Sequence, residues 1–195
     1  MFRHTLSQFE QHVVTIHPGE FYATREDEIV STVLGSCVAV GLFDTSSGIG
    51  GLNHFMLPGA MEKDALIVDP NARYGMYAME LLINELMKLG VRRASLRAKV
   101  FGGGSVLRLP EGAAAKIPRS NVEFAFEYLR EESIPVLASD VGGHQARKIF
   151  FFPRTGRVLL KRLRGQLVAA VEREEESYLE GIRSGPHEGP VTMFR

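Results

Sequence analysis

Between Val13 and Leu57 four β-rich runs follow one another, and no helical stretch separates any of them. The runs are Val13 to Ile16, Glu28 to Leu34, Val38 to Phe43 and Ile49 to Leu57. They are divided by Pro18-Gly19, by Gly35-Ser36 and by the cluster Asp44-Thr45-Ser46-Ser47-Gly48. Short apolar runs bounded by turn residues read as strands, and the last cluster predicts an antiparallel hairpin. Helical periodicity enters only from Ala72 to Leu89, where Ala78, Met79, Leu82, Ile83, Leu86 and Leu89 form one face that stops at Gly90. A strand is expected over Ser95 to Val100. The pair Ser120 and Glu123 has the spacing of a capping box, which predicts a second helix opening there and running to about Glu131. Three more runs follow: Ile134 to Ser139, Ala146 to Phe152 and Val158 to Leu163, the last two joined as a hairpin across Pro153-Arg154-Thr155-Gly156. Strands that so often follow one another directly, with two or three helices among about seven of them, imply an α+β domain with a mostly antiparallel or mixed sheet.

Composition narrows the function classes. A hydrophobic fraction of 45% over 195 residues supports a sizeable core and excludes a disordered chain, a collagen-like fibre or a coiled-coil rod. Twenty-three basic residues balance twenty-three acidic ones, so the chain as a whole has no strong attraction to nucleic acid or anionic membrane. Apolar stretches such as Cys37 to Phe43 fall far short of the roughly 18 residues that cross a bilayer, so no membrane insertion is expected. The segment Met1 to Gln11 is polar and lacks the apolar centre of an export signal, which points to the cytoplasm. Charge is unevenly placed. Residues 165–195 hold three basic and six acidic side chains, which marks an acidic C-terminal appendage beyond a body of residues 1–164. Val168, Val171, Tyr178, Leu179 and Ile182 suit a segment packed along the body by one face; a solvated end is the other reading. Residues 147–164 carry seven basic side chains and no acidic one, either a solvated hairpin face or a steering surface.

One cysteine cannot form an internal disulfide, so Cys37 has to be explained on its own. It is either a buried structural thiol or a nucleophile. Gly35 allows a tight turn that presents the thiol at the mouth of a strand, and successive amides of Gly35, Ser36 and Cys37 would stabilise a thiolate and later an oxyanion. A nucleophile needs a proton acceptor, because only the thiolate attacks. His54, 17 residues on, is the best placed of the six histidines. Pairing of the strands around residues 44–48 would bring it towards Cys37; otherwise it is a hydrogen-bonded histidine in an apolar strand. No HExxH, CxxC, Walker or GxSxG pattern occurs, and no metal or cofactor is expected. Gly102-Gly103-Gly104 reads as a loop near the mouth of the site.

The run Leu34-Gly35-Ser36-Cys37-Val38-Ala39-Val40 and the later His54-Phe55-Met56-Leu57-Pro58 resemble the CheD family of chemoreceptor glutamine deamidases. The resemblance extends to Pro18-Gly19, the Gly102-Gly103-Gly104 loop, Asn121, and Asp140-Val141-Gly142-Gly143 with Arg147, and covers roughly residues 13–164. It implies a layered α/β/β-type single domain like that of deamidating toxins, with residues 1–164 as the catalytic deamidase domain. It carries the catalytic roles onto Cys37 and His54, with the cytoplasmic helices of chemoreceptors as substrate and no cofactor. It also implies a threonine just ahead of the cysteine that orients the histidine. Counting six back without a gap gives Ser31, whereas the threonine here is Thr32. The two face opposite ways in a strand, so one serves, and register favours Ser31. Where family members often carry Gly-x-Arg-Asn, this chain has Pro118-Arg119-Ser120-Asn121. The resemblance also allows a second function, a chemotaxis binding module acting on a CheC-type phosphatase, and the residues a third, a cysteine hydrolase of another amide.

Overall fold

The strand runs assemble into two five-stranded sheets in the computed structural model, which describes residues 1–61, 69–106, 116–164 and 166–184. The first sheet has the order β1 (Phe2–Thr5), β2 (His12–Thr15), β4 (Ile29–Leu34), β9 (Arg147–Phe152) and β10 (Arg157–Arg162). The second has the order β3 (Phe21–Thr24), β6 (Ile49–Asn53), β5 (Val38–Asp44), β7 (Arg97–Gly102) and β8 (Val136–Val141). Neighbours are antiparallel except β2 with β4 and β7 with β8, so both sheets are mixed. Both expected hairpins form, β5–β6 across residues 45–48 and β9–β10 across residues 153–156.

Strand alternation explains the layering. Every residue of β5 is buried, because the strand is covered on both sides. Val38, Val40 and Leu42 pack with α1 (Pro70–Lys88) and α2 (Ile117–Glu131); Ala39 and Phe43 pack with Val14, Val30, Leu34, Ile149 and Phe151 of the first sheet. The order of layers is therefore helices, second sheet, first sheet: an α/β/β arrangement. Gly41 lies on the side towards the first sheet, and a Cβ there would stand 2.9 Å from the Phe151 ring. Phe151 is wholly buried, a contribution of about 1.5–3 kcal/mol for a ring of that size.

Helix ends follow local chemistry. Asp69 caps α1 by accepting from Asn71 N at 2.7 Å, Pro70 occupies its first turn, and Gly90 ends it at φ +101°. The second helix begins at Ile117, one turn before the expected capping box. Ser120 is buried inside it, and its Oγ accepts from Met61 N at 3.1 Å instead of capping the helix. The strands β1 and β3 lie outside the predicted runs. The C-terminal segment is a third helix, α3 (Gln166–Ser184), laid against the body through Val171 and Leu179. Gly185-Pro186 and the residues after them lie outside the described residues. No described helix is long and apolar enough to cross a membrane.

Candidate active site

The chain crosses from the first sheet to the second between β4 and β5, and Cys37 sits on that crossing. Two glycine contacts brace the turn. Gly103 N donates to Cys37 O and Gly104 N to Gly35 O, both at 2.7 Å. Gly102 holds φ +113°, and a Cβ there would stand 2.1 Å from Cys37 O, so the loop after β7 approaches the turn as only glycine can. Gly35 is a glycine for a different reason from the one its sequence context suggests. Its backbone is not among the left-handed positions. A Cβ there would instead meet Val106 at 2.4 Å and Glu175 Oε2 at 2.7 Å.

Backbone pairing brings the histidine to the cysteine. Val38 and Phe55 exchange both main-chain hydrogen bonds, at 3.0 and 2.9 Å, just beyond the end of β6. Val38 and Phe55 point into the helix-side core, so their neighbours Cys37 and His54 both point towards the first sheet. Cys37 Sγ, a His54 ring nitrogen and a Glu175 carboxylate oxygen lie within 4.8 Å of one another. The cluster is closed to solvent: Cys37 has no exposed surface, His54 has 2% and Glu175 has 1%.

Thr32, not Ser31, meets the histidine. Thr32 Oγ1 lies 2.7 Å from His54 Nδ1 and donates its own hydrogen to Ile16 O at 2.8 Å. The hydroxyl hydrogen being spent on Ile16, Nδ1 must be the donor to Thr32, which leaves the lone pair on Nε2. Among the described residues, that buried Nε2 has no hydrogen-bond partner. The preference for Ser31 fails because β4 alternates: Val30, Thr32 and Leu34 face the second sheet, while Ile29 belongs with Val13 and Phe150 on the outer side. Ser31 shares that outer side, with its hydroxyl buried and unpartnered among the described residues.

Two polar residues complete the surroundings. Asn121 of α2 donates to Ser36 O at 2.9 Å and accepts from Leu57 N at 2.8 Å, tying the cysteine turn to the segment after β6 that carries His54. Glu175 of α3 accepts four bonds from the turn: Gly35 N at 2.9 Å and Cys37 N at 3.1 Å on Oε1, Ser36 N and Ser36 Oγ at 2.7 Å on Oε2. The amides expected to form an oxyanion site are thus gathered on one group, and that group is an acid. Sequence reasoning singles out Asn121 only by resemblance and misses Glu175. Yet residue 175 lies four after Val171 and four before Leu179, on the apolar face that the sequence does display.

Electrostatics keep the pair neutral in this arrangement. Burial, and then the neighbouring Glu175 charge, push the Cys37 thiol well above its ordinary range. Burial, with a smaller contribution from His17, pushes His54 down to about 3. Thiol, imidazole and carboxylate are also a donor set that zinc accepts. Here the four acceptor positions of the carboxylate are already filled by N–H and O–H groups, so Glu175 has no lone pair left for an ion.

A cysteine, a histidine fixed in one tautomer by a hydroxyl, and a turn of convergent amides are what a thiol-dependent hydrolase requires. Residues 56–162 match the family described as CheD chemotactic sensory transduction. Relatives agree over nearly the whole length. The chain is 46% identical to "Probable chemoreceptor glutamine deamidase CheD" of Methylobacillus flagellatus over 95% of this chain and 91% of that one. It is 46% identical to "Probable chemoreceptor glutamine deamidase CheD 1" of Shewanella oneidensis, over 95% and 89%. For the similarly named protein of Laribacter hongkongensis the values are 44%, 95% and 89%. The chain belongs to the CheD family.

Proposed function

We propose that this protein is an amide hydrolase that converts glutamine side chains of chemoreceptor cytoplasmic helices to glutamate, with Cys37 as nucleophile. The observation that carries the reading is the placement of Cys37 and His54 on one side of the Val38–Phe55 bridge, with Nδ1 anchored to Thr32 and Nε2 left as a base. The names of the relatives supply the substrate class. Because burial keeps the thiol protonated and the imidazole neutral, proton transfer accompanies attack; no thiolate stands ready beforehand. His54 Nε2 takes the thiol proton as sulfur bonds to the carboxamide carbon. Once Glu175 has left them, the amides of Gly35, Ser36 and Cys37 hold the oxyanion, and collapse expels ammonia with a proton returned from His54. Water, deprotonated by the same nitrogen, then hydrolyses the thioester to release glutamate and the thiol.

The test is incubation with a chemoreceptor cytoplasmic fragment followed by peptide mass mapping. The expected result is glutamine converted to glutamate, lost in Cys37→Ala and reduced about 10²–10⁴-fold in His54→Ala, the usual weight of a general base. Iodoacetamide should modify Cys37 more slowly in His54→Ala. Backbone cleavage would make the protein a hydrolase of another amide. Binding without conversion would favour a binding module, of the kind that acts on a CheC-type phosphatase.

A further inference from the structure

Glu175 is an acid in an apolar seat. Val171, Glu175 and Leu179 recur every four residues along α3 and are its buried positions. Val171 joins Val106, Ala146 and Leu163, while Leu179 joins the core between the sheets. A helix that served only to cover the body would place an apolar residue between them, because burying a carboxylate costs several kcal/mol unless it is fully hydrogen-bonded. Here it is. Its two oxygens accept all four of their bonds from Gly35, Ser36 and Cys37, and Gly35 leaves the space a Cβ would fill. The helix is fastened on either side of this seat too, at its middle by Glu174 to His17 at 2.6 Å and near its C-terminal end by Arg183, which donates to Pro58 O at 2.8 Å.

A glutamate side chain beside the thiol, carried on an amphipathic helix, has the chemistry of the reaction product. We propose that the seat of α3 is the groove for the substrate helix, and that α3 is its resident, product-like occupant. This rests on the deamidase reading and extends it to a recognition rule. The target glutamine lies on a helix with apolar residues four before and four after it, as Val171 and Leu179 flank position 175. Substrate enters when α3 swings out. A glutamine in the seat presents one acceptor oxygen where glutamate presents two, so it satisfies fewer of the four donors. Glutamate therefore rests there more firmly than glutamine, and the resident acid shields the thiol between encounters.

The experiment turns the occupant into a substrate. In full-length Glu175→Gln, Cys37 should attack the introduced carboxamide within its own chain. Water is consumed, one ammonia is released per chain, and peptide mapping should recover residue 175 as glutamate. In Cys37→Ala combined with Glu175→Gln, position 175 should stay glutamine. A second measurement avoids the variant's own folding. A synthetic peptide of residues 166–184 with glutamine at position 175 should be deamidated by the wild-type protein, and faster by roughly tenfold or more in Glu175→Ala, whose seat is less occupied. The same peptide with aspartate in place of Val171 and Leu179 should not be converted. If position 175 stays glutamine in both the full-length variant and the peptide while a chemoreceptor fragment is deamidated through Cys37, the groove lies elsewhere and the proposal is overturned with the deamidase reading intact. If the fragment is not deamidated either, both fall.

Discussion

Thr32 stands in the first sheet and His54 beside the second, and a single 2.7 Å hydrogen bond joins them across the seam. Thr32→Val keeps the shape and removes the acceptor, leaving Nδ1–H buried and unpaired, a loss of about 1–3 kcal/mol. Turnover should fall at least tenfold, because the ring is free to take the other tautomer. Ser31→Ala should leave both quantities nearly unchanged, since its hydroxyl holds nothing among the described residues. Thermal melting and deamidation rates of the two variants check the contrast; equal effects would contradict it.

Asn121 reaches two main-chain groups on separate segments. In Asn121→Ala the Leu57 amide and the Ser36 carbonyl both lose a buried partner, about 1–3 kcal/mol for each. Asn121→Asp keeps an acceptor for Leu57 and loses the donor to Ser36, so it should loosen the cysteine turn selectively. Its signature is a changed rate of Cys37 alkylation in a protein that still melts cooperatively.

The folded-state pKa of His54, about 3, lies below the ordinary 6.5. As pH falls, the unfolded chain takes up this proton first, so stability is full above pH 6.5 and declines between there and about pH 3. By pH 5.5 the decline from this one group is about 1.4 kcal/mol. His54→Asn, which retains a donor towards Thr32, should show a shallower loss over the same interval. Urea unfolding at pH 7.5 and 5.5 of both proteins measures the difference, and parallel slopes would refute it.

The basic residues of β9, β10 and their turn divide into two kinds. Arg147 has no exposed side-chain surface and bonds Asp140 at 2.6 Å, which also pairs with Arg162 at 2.8 Å. Asp140 keeps Arg162 when Arg147 is replaced, but Arg147→Met strips the guanidinium donors from the carbonyls of Asp140, Gly142 and Gln145, so it should lower the melting temperature clearly. Arg154, Arg157 and Lys161 are exposed. Reversing these three to glutamate should spare the fold, depress kcat/KM for receptor fragments at low salt and flatten its salt dependence. Unchanged kinetics at low salt would assign them to solvation alone.

What the sequence discloses follows from how local each signal is. The β5–β6 hairpin is legible because Asp44 to Gly48 is a turn by composition, and α1 because its face and its terminal Gly90 agree. The start of α2 escapes the capping-box pattern because the Ser120 hydroxyl is drawn to Met61 N, a tertiary partner that no spacing reveals. The strand β3 is four residues long, and β1 is a mostly exposed edge, too weak in pattern to stand out. Within the site, Cys37 and His54 are readable through the hairpin that joins them. Thr32 is lost to a count along the chain, although the apolar parity of Val30 and Leu34 points inward at it. Glu175 is hidden among Glu172, Glu174 and Glu176, where charge masks position.

The crossing from β4 to β5 gives the molecule an internal gauge. Thr32 belongs to one sheet, and Cys37 and His54 adjoin the ends of interior strands of the other, so their alignment is a property of how the two sheets ride upon each other. A slide of the sandwich too small to break any strand pairing would still pull the imidazole off its hydroxyl.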